Sequence, residues 1–308
     1  MQRRALLAAL AAGGLGACDC RGPHDSQGSN GSKGAPRERF SGEWRELRFA
    51  SSPAYPEPEL AAVLVEPEAP VLIALHGRGE AGRGLEAGAR GWRDDYDLDR
   101  ARDRVLHPPL TEADFHGFVA PERLADLNAS LARDPYRGLT VACPYAPALF
   151  DRSVEGAAPY GRFLTDVLLP EVRNVARSPR EPAQTAIDGV SMGGRLALLI
   201  GLSRPDTFGV VGALQPAIGV QEADQLADLA ARAATQRPQA LRLVSSDDDP
   251  FREAVIALGE ALAERHLPHE VILTPGPHDY IWNKGPGSYE LLLWHERRTR
   301  GLKSPGAG

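Results

Sequence analysis

One serine, one aspartate and one histidine occur in this chain where they could act together on an acyl group. Residues 184–195 read QTAIDGVSMGGR. A partly β-branched apolar run (Thr185, Ala186, Ile187) leads into Gly189-Val190-Ser191-Met192-Gly193, a second glycine and the apolar stretch 196–200. That is strand, G-x-S-x-G, helix, the pattern in which a tight turn lifts one serine above a sheet. Glycines are expected there because the turn presses backbone against strand and helix, where a Cβ has no room. Ser191 then stands at a helix N-terminus, whose free N–H groups and dipole favour developing negative charge.

A serine hydroxyl is a weak nucleophile and needs a base within hydrogen-bond reach, itself oriented by an acid. Two later segments supply these in the chain order Ser, Asp, His. Residues 245–250 (SSDDDP) follow the strand-like run 241–244, and His278 follows the run 270–273. His278 is the best-placed base of eight histidines. Of the others, His24 lies near the N-terminus, His107 and His116 in a long connection, His266 and His269 around a turn, and His295 on a terminal helix. The acid falls among three adjacent aspartates. Asp249, preceded by Ser246 and followed by Pro250 and a helix, is the first choice and Asp247 the second. Acyl transfer also needs N–H donors for an oxyanion. Met192, the residue after the nucleophile, supplies one; the loop after 71–75, His76-Gly77-Arg78-Gly79, supplies the other from Arg78 or, alternatively, Gly79.

These loops must be carried by strands, because in open α/β sheets reactive groups gather at the carboxyl ends of strands. Strand-like runs occur at 44–49, 61–65, 71–75, 139–143, 185–187, 209–214, 241–244 and 270–273. Helical stretches lie near 163–172, 196–200, 222–234, 251–265 and 289–298. Strands alternating with helices argue for one doubly wound, mostly parallel sheet. The connection from 80 to 138 is too long for a plain strand-to-helix loop. It is rich in Arg, Asp and aromatic residues, with Leu124, Leu127 and Leu131 at helical spacing, and reads as a helical insertion over the top of the sheet, a candidate substrate cap. Tyr280 and Trp282, just past His278, are candidates for the pocket wall or the core.

The 308 residues suffice for one large domain, here 41–304. Net charge is −6 with no basic stripe, which argues against a nucleic-acid partner. Residues 1–17 carry a basic start, a short apolar run and small residues, the flanks of a signal peptide rather than a membrane span. Leu15-Gly16-Ala17-Cys18 resembles a bacterial lipobox, which implies lipidation at Cys18, export to the cell envelope and a membrane anchor; plain secretion is the alternative. Residues 18–40, rich in Gly, Ser and charge, read as a flexible tether. Cys20 and Cys143 do not form a disulfide framework, and Cys143 reads as a buried small apolar residue. No metal-ligand spacing is present, and neither metal nor cofactor is expected.

With these residues in place the chain resembles the α/β-hydrolases, in the esterase group that includes esterase D-like and feruloyl or siderophore esterases. The resemblance spans 71–294 and rests on HGRG at 76–79, GVSMGG at 189–194, SDDDPF at 246–251 and PGPHDYIW at 275–282. It implies an α/β-hydrolase fold and hydrolysis of carboxylic esters through a serine acyl-enzyme without a cofactor. The helical insertion after the third strand departs from the family's compact members, so their substrates do not carry over; a small-molecule or glycan-linked ester is the expected partner. A serine peptidase or acyltransferase on the same three residues, and a non-catalytic binding protein on the same fold, remain the alternatives.

Overall fold

The computed structural model describes residues 43–51 and 55–306. The expected signal peptide, Cys18 and tether therefore lie outside the described residues. The chain enters through β1 (Glu43–Phe49), β2 (Glu59–Val65) and β3 (Val71–Leu75). Then come α1 (Arg78–Ala81), α2 (Leu85–Ala89), α3 (Gly91–Asp94), α4 (Leu98–Leu106) and α5 (Pro121–Arg133). β4 (Thr140–Pro144), α6 (Val154–Arg162), a π-helical stretch and α7 (Leu169–Ala176) lead to β5 (Thr185–Gly189). Next are α8 (Met192–Ser203), β6 (Val210–Leu214), α9 (Ala223–Gln236) and β7 (Ala240–Asp248). α10 (Arg252–Glu264), β8 (Glu270–Pro277), the short α11 (Tyr280–Trp282) and α12 (Ser288–Thr299) complete the fold.

Among the described residues, eight strands form one sheet in the order β1-β2-β4-β3-β5-β6-β7-β8. β2 runs antiparallel to β1 and β4, and the remaining neighbours are parallel. The central strands are continuous apolar runs because helices cover both faces. Alternation sorts their side chains. Val71, Ile73 and Leu75 face a core built with α6 to α10, whereas Leu72 and Ala74 face a second core built with α12 and the segment between β3 and β4.

That second core shows what most of the long connection packs against. Trp92, Tyr96, Leu98, Val105, Leu127, Leu131 and Tyr136 are all buried against the sheet face and α12. On that face α12 is the one long helix outside the insertion, so the insertion's aromatic and aliphatic residues supply the layer that keeps the strands dry. They cover a face of the sheet, while Glu80 and Tyr96 reach Gly77 at the carboxyl end of β3. Burial of this apolar area is the dominant gain that orders so long a connection. Cys143 on β4 is buried in the same core with its thiol free, and burial pushes its pKa up.

Candidate active site

β5 ends at Gly189, and the chain turns sharply into α8 through Val190 and Ser191. Ser191 has φ 57° and ψ −115°, a left-handed conformation that costs a non-glycine residue on the order of 1–3 kcal/mol. Neighbouring backbone holds it there. Val190 N–H donates to Leu75 O at 3.0 Å, Ser191 N–H to Leu214 O at 2.9 Å, and Ala217 N–H to Ser191 O at 2.9 Å. Gly193 is required by contact: a Cβ there would lie 2.4 Å from Leu75 O and 2.6 Å from His76 O. The turn is thus clamped between the ends of β3 and β6.

The second arm comes from β7 and β8. Their register breaks between Ser246 and Asp248, and Asp248 pairs with Pro277. Asp249 and His278 therefore leave the sheet side by side. His278 Nδ1 donates to Asp249 Oδ1 at 2.9 Å, and His278 Nε2 stands 3.0 Å from Ser191 Oγ. With its proton on Nδ1, the imidazole turns the Nε2 lone pair toward the hydroxyl, the arrangement a general base requires. Asp249 is 5% exposed and fully occupied: Oδ1 also accepts from Phe251 N–H at 3.1 Å, and Oδ2 from the Ser245 hydroxyl at 2.6 Å. Asp247 and Asp248 are exposed. Of the three aspartates, Asp249 is the one brought to the histidine. The serine that holds its carboxylate is Ser245, not the Ser246 singled out in the sequence; Ser246 Oγ instead accepts from Gln215 at 2.6 Å. Asp279 orients the histidine loop by accepting from Ile281 N–H and Trp282 N–H, both at 2.9 Å.

The oxyanion candidates sit on the other side of Ser191. Met192 and Arg78 each open a helix, so their N–H groups have no intrahelical acceptor. Both residues line a cavity of about 520 Å³ together with Ser191. The Gly77 N–H is already used, donating to the Tyr96 hydroxyl at 3.3 Å, and Tyr96 in turn donates to Glu80 Oε2 at 2.5 Å. Gly79, the alternative donor, lies beneath Tyr280: a Cβ there would meet the Tyr280 hydroxyl at 2.5 Å. A hydrogen bond to Glu80 holds the Tyr280 phenol up at about 12. Trp282 is fully buried with Nε1 donating to Thr274 at 2.8 Å, so it belongs to the core.

His76 is a residue the sequence reading passed over. Buried beside the site, it donates from Nδ1 to Gly77 O at 2.9 Å, and its Nε2 accepts from Ala146 N–H at 2.8 Å. Burial lowers its pKa and keeps the ring neutral, which that accepting nitrogen demands. It ties the 76–79 loop to the segment after β4, whose residues 147–152 form much of the cavity wall. Its place at the head of the HGRG motif was the available signal. A second cavity, about 530 Å³, lies between β1 and the helical segment at 163–171 and holds none of these groups. Among the described residues no cluster of side chains could hold a metal ion.

A serine within hydrogen-bond reach of a histidine thus stands beside a cavity lined by Met192 and Arg78, on a mostly parallel eight-stranded sheet. Residues 146–271 match the family described as "Putative esterase". The fold is that of the α/β-hydrolases. Among solved structures, this chain is similar to a ferulic acid esterase at 18% identity over 84% of this chain and 99% of that one, with a TM-score of 0.61. S-formylglutathione hydrolase from Staphylococcus aureus matches at 14% identity over 83% and 99% of the two chains, TM-score 0.57. The enterobactin esterase of Shigella flexneri matches at 15% over 81% of this chain and 58% of its own, TM-score 0.55. At such identities the likeness speaks for the fold. A comparison with curated proteins finds no match.

Proposed function

We propose that the chain hydrolyses carboxylic esters through an acyl-enzyme on Ser191. His278 Nε2 takes the Ser191 proton as Oγ attacks the acyl carbon, then returns it to the leaving alcohol. Asp249 holds the imidazole and stabilises its cationic form. The amides of Met192 and Arg78 donate to the oxyanion of each tetrahedral stage. Water, deprotonated by the same histidine, releases the acid and restores Ser191. The observation that carries this reading is the relay from Ser191 through His278 to Asp249, at 3.0 and 2.9 Å, opening onto the 520 Å³ cavity.

The structural neighbours are named for ferulic acid, S-formylglutathione and enterobactin, and a small-molecule or glycan-linked ester is the substrate class proposed here. Export and a lipid anchor at Cys18 belong to the same proposal, supported by the sequence of residues 1–18. The test is labelling with a fluorophosphonate probe. The parent protein should label, Ser191→Ala should not, and His278→Ala should label far more slowly. A folded parent that neither labels nor turns over an activated ester would refute the mechanism. Metabolic labelling with a fatty acid, lost in Cys18→Ser, tests the anchor.

A further inference from the structure

The cavity beside Ser191 has an unusual charge. In a chain of net charge −6, its wall contains three arginines, Arg78, Arg152 and Arg195, and no acidic side chain. The three differ in what already holds them. Arg195 is neutralised by Glu222, with one N–H···O bond at 2.7 Å, and is 8% exposed. Arg152 is exposed, donates to the Ala217 carbonyl at 2.7 Å and feels the Glu222 carboxylate without bonding it. Arg78 is exposed, and its guanidinium has no hydrogen-bond or ion-pair partner among the described residues. Other exposed arginines, Arg100 and Arg162 among them, also lack a carboxylate partner, so what sets Arg78 apart is its place in the cavity wall beside Ser191. Arg78 is thus an unpaired cation at the cavity that Ser191 opens onto.

The rest of the wall is apolar, including Leu196, Leu199 and Phe251. Such a surface lowers the local dielectric and strengthens any charge pair formed at its edge. A guanidinium presents a planar fork that matches a carboxylate or phosphate with two parallel hydrogen bonds. Resting on the ester-hydrolase reading, the geometry points to a substrate whose ester carries a second, anionic group, bound by the side chains of Arg78 and Arg152 while an apolar spacer fills the cavity. The anionic group can sit on the acyl or the alcohol side of the scissile bond; the chemistry that recognises it is the same.

The test uses matched esters that differ only in that charge. On the acyl side, mono-4-nitrophenyl adipate is compared with the same ester capped as its methyl ester. On the alcohol side, 4-acetoxybenzoate is compared with methyl 4-acetoxybenzoate. For at least one pair, kcat/KM for the charged ester should exceed that for the neutral one by roughly tenfold or more, the scale of one charge-assisted hydrogen bond. The preference should shrink as salt rises, since the pair forms at an exposed rim. Arg78→Gln keeps the backbone amide but should bring the charged-to-neutral ratio near one, and Arg78→Glu should invert it. The ratio is the readout, so any loss common to both esters cancels. Hydrolysis of the neutral esters with no preference for either charged partner overturns this inference and leaves the esterase reading intact. So does a preference that Arg78→Gln and Arg152→Gln both leave untouched. Failure to hydrolyse any of the four overturns both.

Discussion

Replacing Asp249 by asparagine separates its charge from its shape. The carboxylate takes His278 Nδ1–H and Phe251 N–H on Oδ1 and the Ser245 hydroxyl on Oδ2. An asparagine fits these partners with its oxygen toward His278 and its amide toward Ser245, whose hydroxyl can turn to accept. The imidazole tautomer therefore survives, and what is lost is the attraction between the carboxylate and the imidazolium formed as Ser191 attacks. For charge centres about 4 Å apart at an effective dielectric near 20, that attraction is about 4 kcal/mol. Each 1.4 kcal/mol is about tenfold in rate, so kcat should fall on the order of 10³-fold. Asp249→Ala also frees the ring to turn and should cost about 10⁴-fold, as loss of a triad acid does generally. Asp247→Asn and Asp248→Asn, changed at exposed positions, should stay within about threefold. The assay is steady-state hydrolysis of 4-nitrophenyl acetate, with circular dichroism to establish folding. Full activity in Asp249→Asn, or an equal fall in Asp247→Asn, would refute the assignment.

Gly193→Ala should destabilise the fold by about 1–3 kcal/mol and abolish activity, because its Cβ meets the carbonyls of Leu75 and His76 at 2.4 and 2.6 Å. Gly82→Ala, whose nearest contact is 3.5 Å at φ −66°, should be neutral or better in the same chemical denaturation. Glu290→Leu removes the carboxylate shared by Arg123 and Arg242 and should cost about 3–5 kcal/mol by leaving a buried charge uncompensated; a loss below about 1 kcal/mol counts against it. Glu59, 2% exposed on β2, is raised by burial to about 8 despite bonds from the Tyr55 hydroxyl and Leu60 N–H. The native state then holds a proton that the unfolded chain releases near 4.5, so stability falls as pH rises from about 4.5 to about 8. Glu59→Gln should therefore gain on the parent across that window, by up to a few kcal/mol above pH 8, and match it below pH 4.

Much of this fold was legible because its strands announce themselves. Val71 to Leu75 is apolar at every position and is β3 to the residue, and G-x-S-x-G marked the turn after β5. The chain order of Ser191, Asp249 and His278 was legible for the same reason, since each follows such a strand. Choosing among three aspartates from spacing alone gave Asp249 first but did not show that Ser245 holds its carboxylate. Ser245 points to the carboxylate because β7 extends to Asp248 and breaks register there, a feature set by pairing with β8. How the insertion packs was not legible: its length and its Arg, Asp and aromatic content marked an addition over the sheet, while Trp92, Tyr96 and Tyr136 are buried in a core shared with α12. Periodicity finds an apolar face but not the surface it will cover. The wall of the cavity at 147–152 carried no pattern at all; it stands beside Ser191 through the bonds from Ala146 to His76, from Arg195 to the Arg152 carbonyl and from Arg152 to the Ala217 carbonyl.

The strain at Ser191 links these layers. A left-handed serine persists only where its surroundings leave no relaxed alternative. Three backbone hydrogen bonds fix the turn from above, and beneath it the anchoring strand is pinned by charge. Asp188, three residues before Ser191, accepts from Gly189 N–H at 2.6 Å and from His295 Nε2 at 2.7 Å, both partners buried. Arg242 on β7 approaches the same carboxylate at 3.9 Å, bonds Glu290 at 2.9 Å and stacks on Trp294 at 4.5 Å. β5 and β7 are thereby joined to α12 through groups that have no water to fall back on. Burial holds the His295 pKa down, so the ring stays neutral and donates from Nε2, leaving the Asp188 charge to be balanced by Arg242. A buried network of this kind adds little net stability over an apolar packing, yet it resists any sliding of one strand past another, because a shifted partner leaves a bare charge. Within this sheet that resistance acts on the two strands that carry the nucleophile and the acid. The distances of 3.0 and 2.9 Å across Ser191, His278 and Asp249 are held by strand register, and α12 with its charged face is what keeps that register from drifting.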